Sequence, residues 1–133
     1  MINQIFLISS AYLIGSLSFG IIVSKFLNLS DPRTIGSKNP GATNVMRTGN
    51  KLAAVLTLLG DILKATIVVK IVILIGLNEL ETMQVCIAVL IGHTFPIYYK
   101  FKGGKGVATA LGILLATNWI LALSAIFIWL VIF

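Results

Sequence analysis

Long apolar blocks separated by short basic, glycine-rich segments constrain this chain more than any other feature. Each block approaches or exceeds the roughly 18 residues that let a helix cross the hydrocarbon core of a bilayer. Composition agrees with that reading: of 133 residues, 58% are hydrophobic and 11% are charged, against roughly a quarter charged in soluble domains. The expected fold class is therefore all-α: a polytopic membrane helix bundle with four to five spanning or partly inserted helices, forming one integral membrane domain over residues 1–133. The first block has no positive n-region and no small-residue cleavage site, so it reads as a retained helix and not a signal peptide.

Four helical blocks are expected, over residues 4–26, 52–77, 83–99 and 107–133, the last as one long span or as two shorter helices parted near Thr117 and Asn118. Ser16, Gly20 and Ser24 recur every fourth residue, as do Ala108, Gly112 and Ala116; both rows predict close packing faces. The second block contains Asp61, Lys64 and Lys70. Asp61 and Lys64, three apart, share a face and can neutralise each other, either as a structural ion pair or as part of a site. Lys70 faces elsewhere and can snorkel. Cys86 stands alone among apolar residues and reads as packing.

The net charge of +6 lies between the apolar blocks, which points to membrane orientation and away from nucleic acid. Lys25, Arg33, Lys38, Arg47 and Lys51 fall in the first loop against Asp31 alone, and Lys100, Lys102 and Lys105 in the third, whereas the second carries Glu79 and Glu81. The positive-inside rule then puts the N-terminus outside and two basic glycine-rich loops in the cytoplasm.

Both loops have the chemistry of phosphate binding. In Gly36-Ser-Lys-Asn-Pro-Gly-Ala-Thr-Asn-Val-Met-Arg, glycines let backbone N–H groups converge on an anion. Ser37, Asn39, Thr43 and Asn44 add neutral donors, and Arg47 offers a bidentate fork. Phe101-Lys-Gly-Gly-Lys-Gly-Val-Ala-Thr combines bare backbone, lysines and a helix start. Its glycine spacing is not that of a Walker A loop, so ATP is not implied. No His, Cys or carboxylate spacing suits a metal, and no cofactor is expected.

These segments resemble the signatures of the acyl-phosphate:glycerol-3-phosphate acyltransferases. The similarity is carried by Gly15-Ser-Leu-Ser-Phe-Gly, Asp31-Pro-Arg-Thr-Ile-Gly-Ser-Lys-Asn-Pro-Gly-Ala-Thr-Asn-Val-Met-Arg, Gly60-Asp-Ile-Leu-Lys-Ala, and the stretch from Gly92-His-Thr-Phe-Pro to Lys102-Gly-Gly-Lys-Gly-Val-Ala-Thr. The resemblance implies a multi-pass enzyme of the bacterial inner membrane. It would transfer a fatty acyl group from acyl phosphate to the 1-hydroxyl of glycerol 3-phosphate, giving lysophosphatidate and orthophosphate. It implies catalytic roles for Ser37, Arg47 and Lys105. The substrate-binding set is Gly36, Asn39, Gly41, Thr43, Asn44, Lys64, His93, Lys102, Gly103, Gly104, Gly106 and Thr109, with His93 in a supporting place. Members of that family continue to a third polar motif, so this chain is expected to be C-terminally truncated, with a separately encoded C-terminal fragment as the partner of a split gene. The alternatives are a non-catalytic remnant and a small anion permease.

Overall fold

The structure, a computed structural model, describes residues 3–132. Seven α-helices are present among them: α1 (Gln4–Gly15), α2 (Phe19–Phe26), α3 (Ala42–Val45), α4 (Lys51–Leu74), α5 (Glu79–Thr94), α6 (Val107–Thr117) and α7 (Trp119–Ile132). At about 1.5 Å per residue, α4 is about 36 Å long, enough to cross a core of about 30 Å. The apolar segment Glu79–Tyr99 is also long enough, and α1 with α2 makes a third candidate span bent by 46°. Alone, α6 and α7 are shorter, at about 16 Å and 21 Å.

The first block is thus not the single helix expected over residues 4–26. Hydropathy does not register the interruption at Ser16-Leu17-Ser18, because its central residue is apolar. Ser16 bonds back to Tyr12 through both its N–H (2.9 Å) and its Oγ (2.8 Å), and α2 restarts with Ile22 N–H donating to the Ser18 carbonyl at 3.0 Å. The block over residues 107–133 likewise divides at Asn118, whose side chain accepts from Leu121 N–H and starts α7. Glu81, read at first only as a loop charge, completes a capping box with Asn78 at the start of α5.

Contacts between chain-distant residues set the directions of the helices. Gln4 bonds the Glu81 carbonyl and the Gln84 side chain, and Tyr12 Oη donates to the Phe95 carbonyl, so α1 and α5 run parallel. Thr109 reaches the Asp61 carbonyl and Thr66 the Gly112 carbonyl, so α4 and α6 also run parallel. The first pair points toward the basic loops and the second starts from them.

Small residues make this packing possible. A side chain on Gly15 would strike the Val89 carbonyl, one on Gly92 the Tyr12 carbonyl, and one on Gly112 the Ile62 carbonyl. Between the pairs lies a core of Ala11, Ala65, Val68, Val72, Val85, Ala88 and Val89. Most large apolar side chains of α4, α5 and α7 point outward, as lipid-facing surfaces do. Lys70 is on such a face, one turn from the end of α4, where its stem can carry the ammonium to the headgroups. Gly112→Val should force α4 and α6 apart and destabilise the bundle by about 1–3 kcal/mol, seen as a lower thermal midpoint in detergent.

Candidate functional site: two polar loops over a buried charge cluster

At the loop end of the bundle, α4 carries an ionised pair into the interior. Lys64 Nζ is 2.8 Å from Asp61 Oδ1, and both side chains are 3% exposed, too little for water to solvate either charge. The remaining Lys64 protons go to the Leu17 carbonyl at 2.6 Å and to His93 Nδ1 at 3.0 Å. Leu17 is available because the break between α1 and α2 leaves its carbonyl without a helical N–H. Thr109 of α6 donates to the Asp61 carbonyl at 3.4 Å. Three helices and one helix break therefore meet at a single ion pair.

The loop after α5 is built directly on this cluster. Pro96 ends the helix, a 3-10 turn covers Ile97–Tyr99, and Gly104 N–H returns to the His93 carbonyl at 3.1 Å. The sequence suggested that these glycines serve mainly to turn N–H groups toward an anion. The structure gives two of them another reason: a side chain on Gly103 would collide with the His93 carbonyl, and one on Gly104 with the His93 ring. Gly106, with φ +83°, does need the left-handed region and opens α6. Lys102 and Lys105 are exposed on this loop.

In the first loop the organising residue is Asn44. It is 2% exposed; its Nδ2 donates to the carbonyls of Pro32 (2.6 Å) and Ile35 (3.1 Å), and its Oδ1 accepts from Ser37 N–H at 3.0 Å. Around this anchor Gly36 takes φ +51°, and the Arg47 guanidinium and the Asn44 amide oxygen fill the space a side chain there would need. Asn39 Oδ1 accepts from Gly41 N–H at 2.9 Å. Ser37, Thr43 and Arg47 are exposed.

The two loops meet through residues outside the expected set. Arg33 grips Asp31 through three bonds of 2.6–3.1 Å and lies 5.6 Å above the Tyr99 ring. The guanidinium holds the Asp31 carboxyl below the usual carboxylate range, so acid weakens this link only once pH falls through that lowered value. Beside it opens a cleft of about 880 Å³, lined by the apolar Ile22 and Phe26 and by Lys25, Asp31 and Arg33. Ser24 Oγ, also in the wall, is buried without a hydrogen-bond partner among the described residues. Among the described residues, all four non-glycine residues with positive φ fall in these loops: Asn28, Lys38, Lys100 and Phe101. Such conformations gather at binding and switch sites.

The expected site residues thus separate by environment. Gly36, Ser37, Asn39, Gly41, Thr43 and Arg47 share the first loop, and Lys102, Gly103, Gly104, Lys105 and Gly106 the other. Asn44, Lys64 and Thr109 are buried with their polar atoms engaged by the protein. Asp61, left open between a structural ion pair and a site, joins Lys64 in the buried cluster; Leu17, Arg33 and Tyr99 lie outside the expected set. Asp31 and Arg33 could have been paired from their spacing, but nothing local marks the Leu17 carbonyl.

A sequence model described as glycerol-3-phosphate acyltransferase matches residues 5–133. A glycerol-3-phosphate acyltransferase of Methylobacillus flagellatus is 55% identical over 133 residues, covering 100% of this chain and 67% of the relative. That of Cupriavidus necator is 54% identical over 136 residues, covering 99% and 67%. That of Burkholderia multivorans is 55% identical over 122 residues, covering 92% and 58%. The crystal structure of PlsY (YgiH), an integral membrane glycerol 3-phosphate acyltransferase, in its glycerol 3-phosphate form superposes with TM-score 0.90 at 41% identity, covering 98% of this chain and 65% of that one. Its lysophosphatidic acid form gives 0.88 at 40% identity, covering 98% and 64%. The chain therefore spans 58–67% of the length of these proteins.

The charge cluster should dominate stability at this end. Lys64→Met leaves a carboxylate buried alone and should cost about 3–5 kcal/mol; combining it with Asp61→Asn should recover much of that loss in a thermal unfolding cycle. Asn44→Ala strips three bonds from the first loop and should raise amide exchange at Ser37 without lowering the unfolding midpoint as far as Lys64→Met does.

Proposed function

The chain belongs to the glycerol-3-phosphate acyltransferase family, and from that premise we propose that it transfers a fatty acyl group from acyl phosphate to the 1-hydroxyl of glycerol 3-phosphate. The observation that carries this reading is the joining of two phosphate-suited loops at one end of an apolar bundle, with Arg47 folded against Gly36 in one and the glycines of the other packed on His93. Both reactants carry a phosphate and one carries an acyl chain. Two anion-suited loops beside a cleft lined by Ile21, Ile22, Phe26 and Leu29, with Lys25 and the Asp31–Arg33 pair also in its lining, match that pair.

In the reaction, the hydroxyl oxygen bonds to the acyl carbon and the carbon–oxygen bond to phosphate breaks. Orthophosphate leaves with the bonding electrons and, overall, with the proton that the hydroxyl gives up, and the products are lysophosphatidate and orthophosphate. The protein's part is to hold two dianionic groups close together and to stabilise charge on the departing phosphate. Arg47 and Lys105, both exposed on the loops, supply that charge, with Ser37 and Thr43 as neutral donors. Asn44, Lys64 and Thr109 act by holding the loops in shape. The loops lie in the cytoplasm of a bacterial inner membrane with the N-terminus outside, following their charge bias. The broken first helix, α4 and α5 cross the bilayer, and α6 with α7 completes a fourth passage in two pieces.

Membranes containing the chain should release orthophosphate from acyl phosphate in a manner dependent on glycerol 3-phosphate. Arg47→Ala and Lys105→Ala should each lower that rate at least about tenfold, as loss of a charge-assisted phosphate contact does. Release that ignores glycerol 3-phosphate, or that survives both substitutions, would sink the reading. In intact cells, cysteines placed at Ser37 and Lys105 should be labelled from the same face; opposite faces would contradict the arrangement.

A further inference from the structure

His93 is the chain's single histidine, 6% exposed in the last turn of α5. Its two ring nitrogens meet different surroundings. Nδ1 lies 3.0 Å from Lys64 Nζ and 3.5 Å from Asp61 Oδ1. The second separation exceeds the usual hydrogen-bond range of about 2.7–3.2 Å, so the contact that counts is with the ammonium. An ammonium has three protons and no lone pair. Three acceptors surround this one: the Leu17 carbonyl, Asp61 Oδ1 and His93 Nδ1. The third contact is favourable only when Nδ1 is bare, which puts the imidazole proton on Nε2. That nitrogen has no hydrogen-bond partner among the described residues, and it occupies the space that a side chain on Gly104 would need. The free edge of the ring is therefore turned toward the glycine loop.

We propose that Asp61 and Lys64 form a tautomer clamp on His93, holding its Nε2–H as a neutral donor beneath the loop of residues 103–106 and toward the phosphate that this loop binds. The inference rests on the acyltransferase reading for the identity of that phosphate, not for the clamp itself. Its physical sense lies in charge balance. Lys102 and Lys105 already supply positive charge outside, and the Asp61–Lys64 pair below is neutral in sum. A fixed neutral donor strengthens the site without burying another charge, and it needs no reorientation when the anion arrives. Asp61 and Lys64 are positioning residues in this arrangement, acting only through the ring.

Because there is one imidazole, nitrogen-15 NMR of histidine-labelled chain in lipid nanodiscs reads the tautomer without assignment. The expected spectrum has Nδ1 unprotonated and Nε2 protonated; a protonated Nδ1 overturns the clamp. In Lys64→Met the Asp61 carboxylate is the charged group left beside Nδ1, and the proton should move to that nitrogen. An unchanged tautomer in that variant also overturns the proposal, and the spectrum of the unaltered chain decides the matter if the variant does not fold. On saturation with glycerol 3-phosphate the Nε2–H resonance should shift, whereas phosphorus-31 evidence of binding with an unmoved Nε2 removes the donor role. His93→Gln keeps a donor near Nε2 and should bind glycerol 3-phosphate within about threefold of the unaltered chain. His93→Asn keeps only the Lys64 side and should lose about tenfold; the reverse order would mark His93 as purely structural. No binding to the unaltered chain would overturn the acyltransferase reading and the donor role together, and the tautomer, recorded before ligand is added, separates that failure from failure of the clamp.

Discussion

A lysine ammonium buried in an apolar bundle, with an acceptor for each of its protons, is the interaction on which the rest of this structure depends. Lys64 takes one acceptor from its own helix, one from the break in the first span and one from α5. An ion in such surroundings is tolerated only when fully compensated. No two of these segments can supply the set alone, so compensation requires all of them to arrive in register. The Thr109 bond to the Asp61 carbonyl draws in α6 by the same logic. Apolar packing alone would set this alignment less sharply, because in lipid the surfaces of neighbouring helices differ little from the acyl chains around them.

The loops inherit their shape from that cluster. The glycine segment after α5 lies on the backbone and ring of His93, and the ring is held in turn by Lys64. The first loop is wound around Asn44, which satisfies three backbone groups and leaves Ser37 and Arg47 at the surface. Arg33 over Tyr99 joins the two. Buried polar residues thus fix the backbone while exposed ones remain available to an anion. A preorganised phosphate site needs this division, since donors that must first be ordered lose part of their binding energy to that ordering.

The sequence determined the apolar helical character of the chain, the i,i+3 pairing of Asp61 with Lys64, and the basic, glycine-rich composition of both loops, because each depends on residues close together in the chain. Tertiary structure decided which polar residues stay exposed and which are turned into the protein. Asn44 and Thr109 have the same donors as Ser37 and Thr43, and only burial tells them apart. It also decided where the first span breaks, since the freed Leu17 carbonyl is tolerable only where Lys64 can reach it, and it made His93 the third member of a cluster whose other members lie about thirty positions earlier. Composition and spacing report what each segment can do; a hydrogen bond between distant segments exists only once the chain has closed around it.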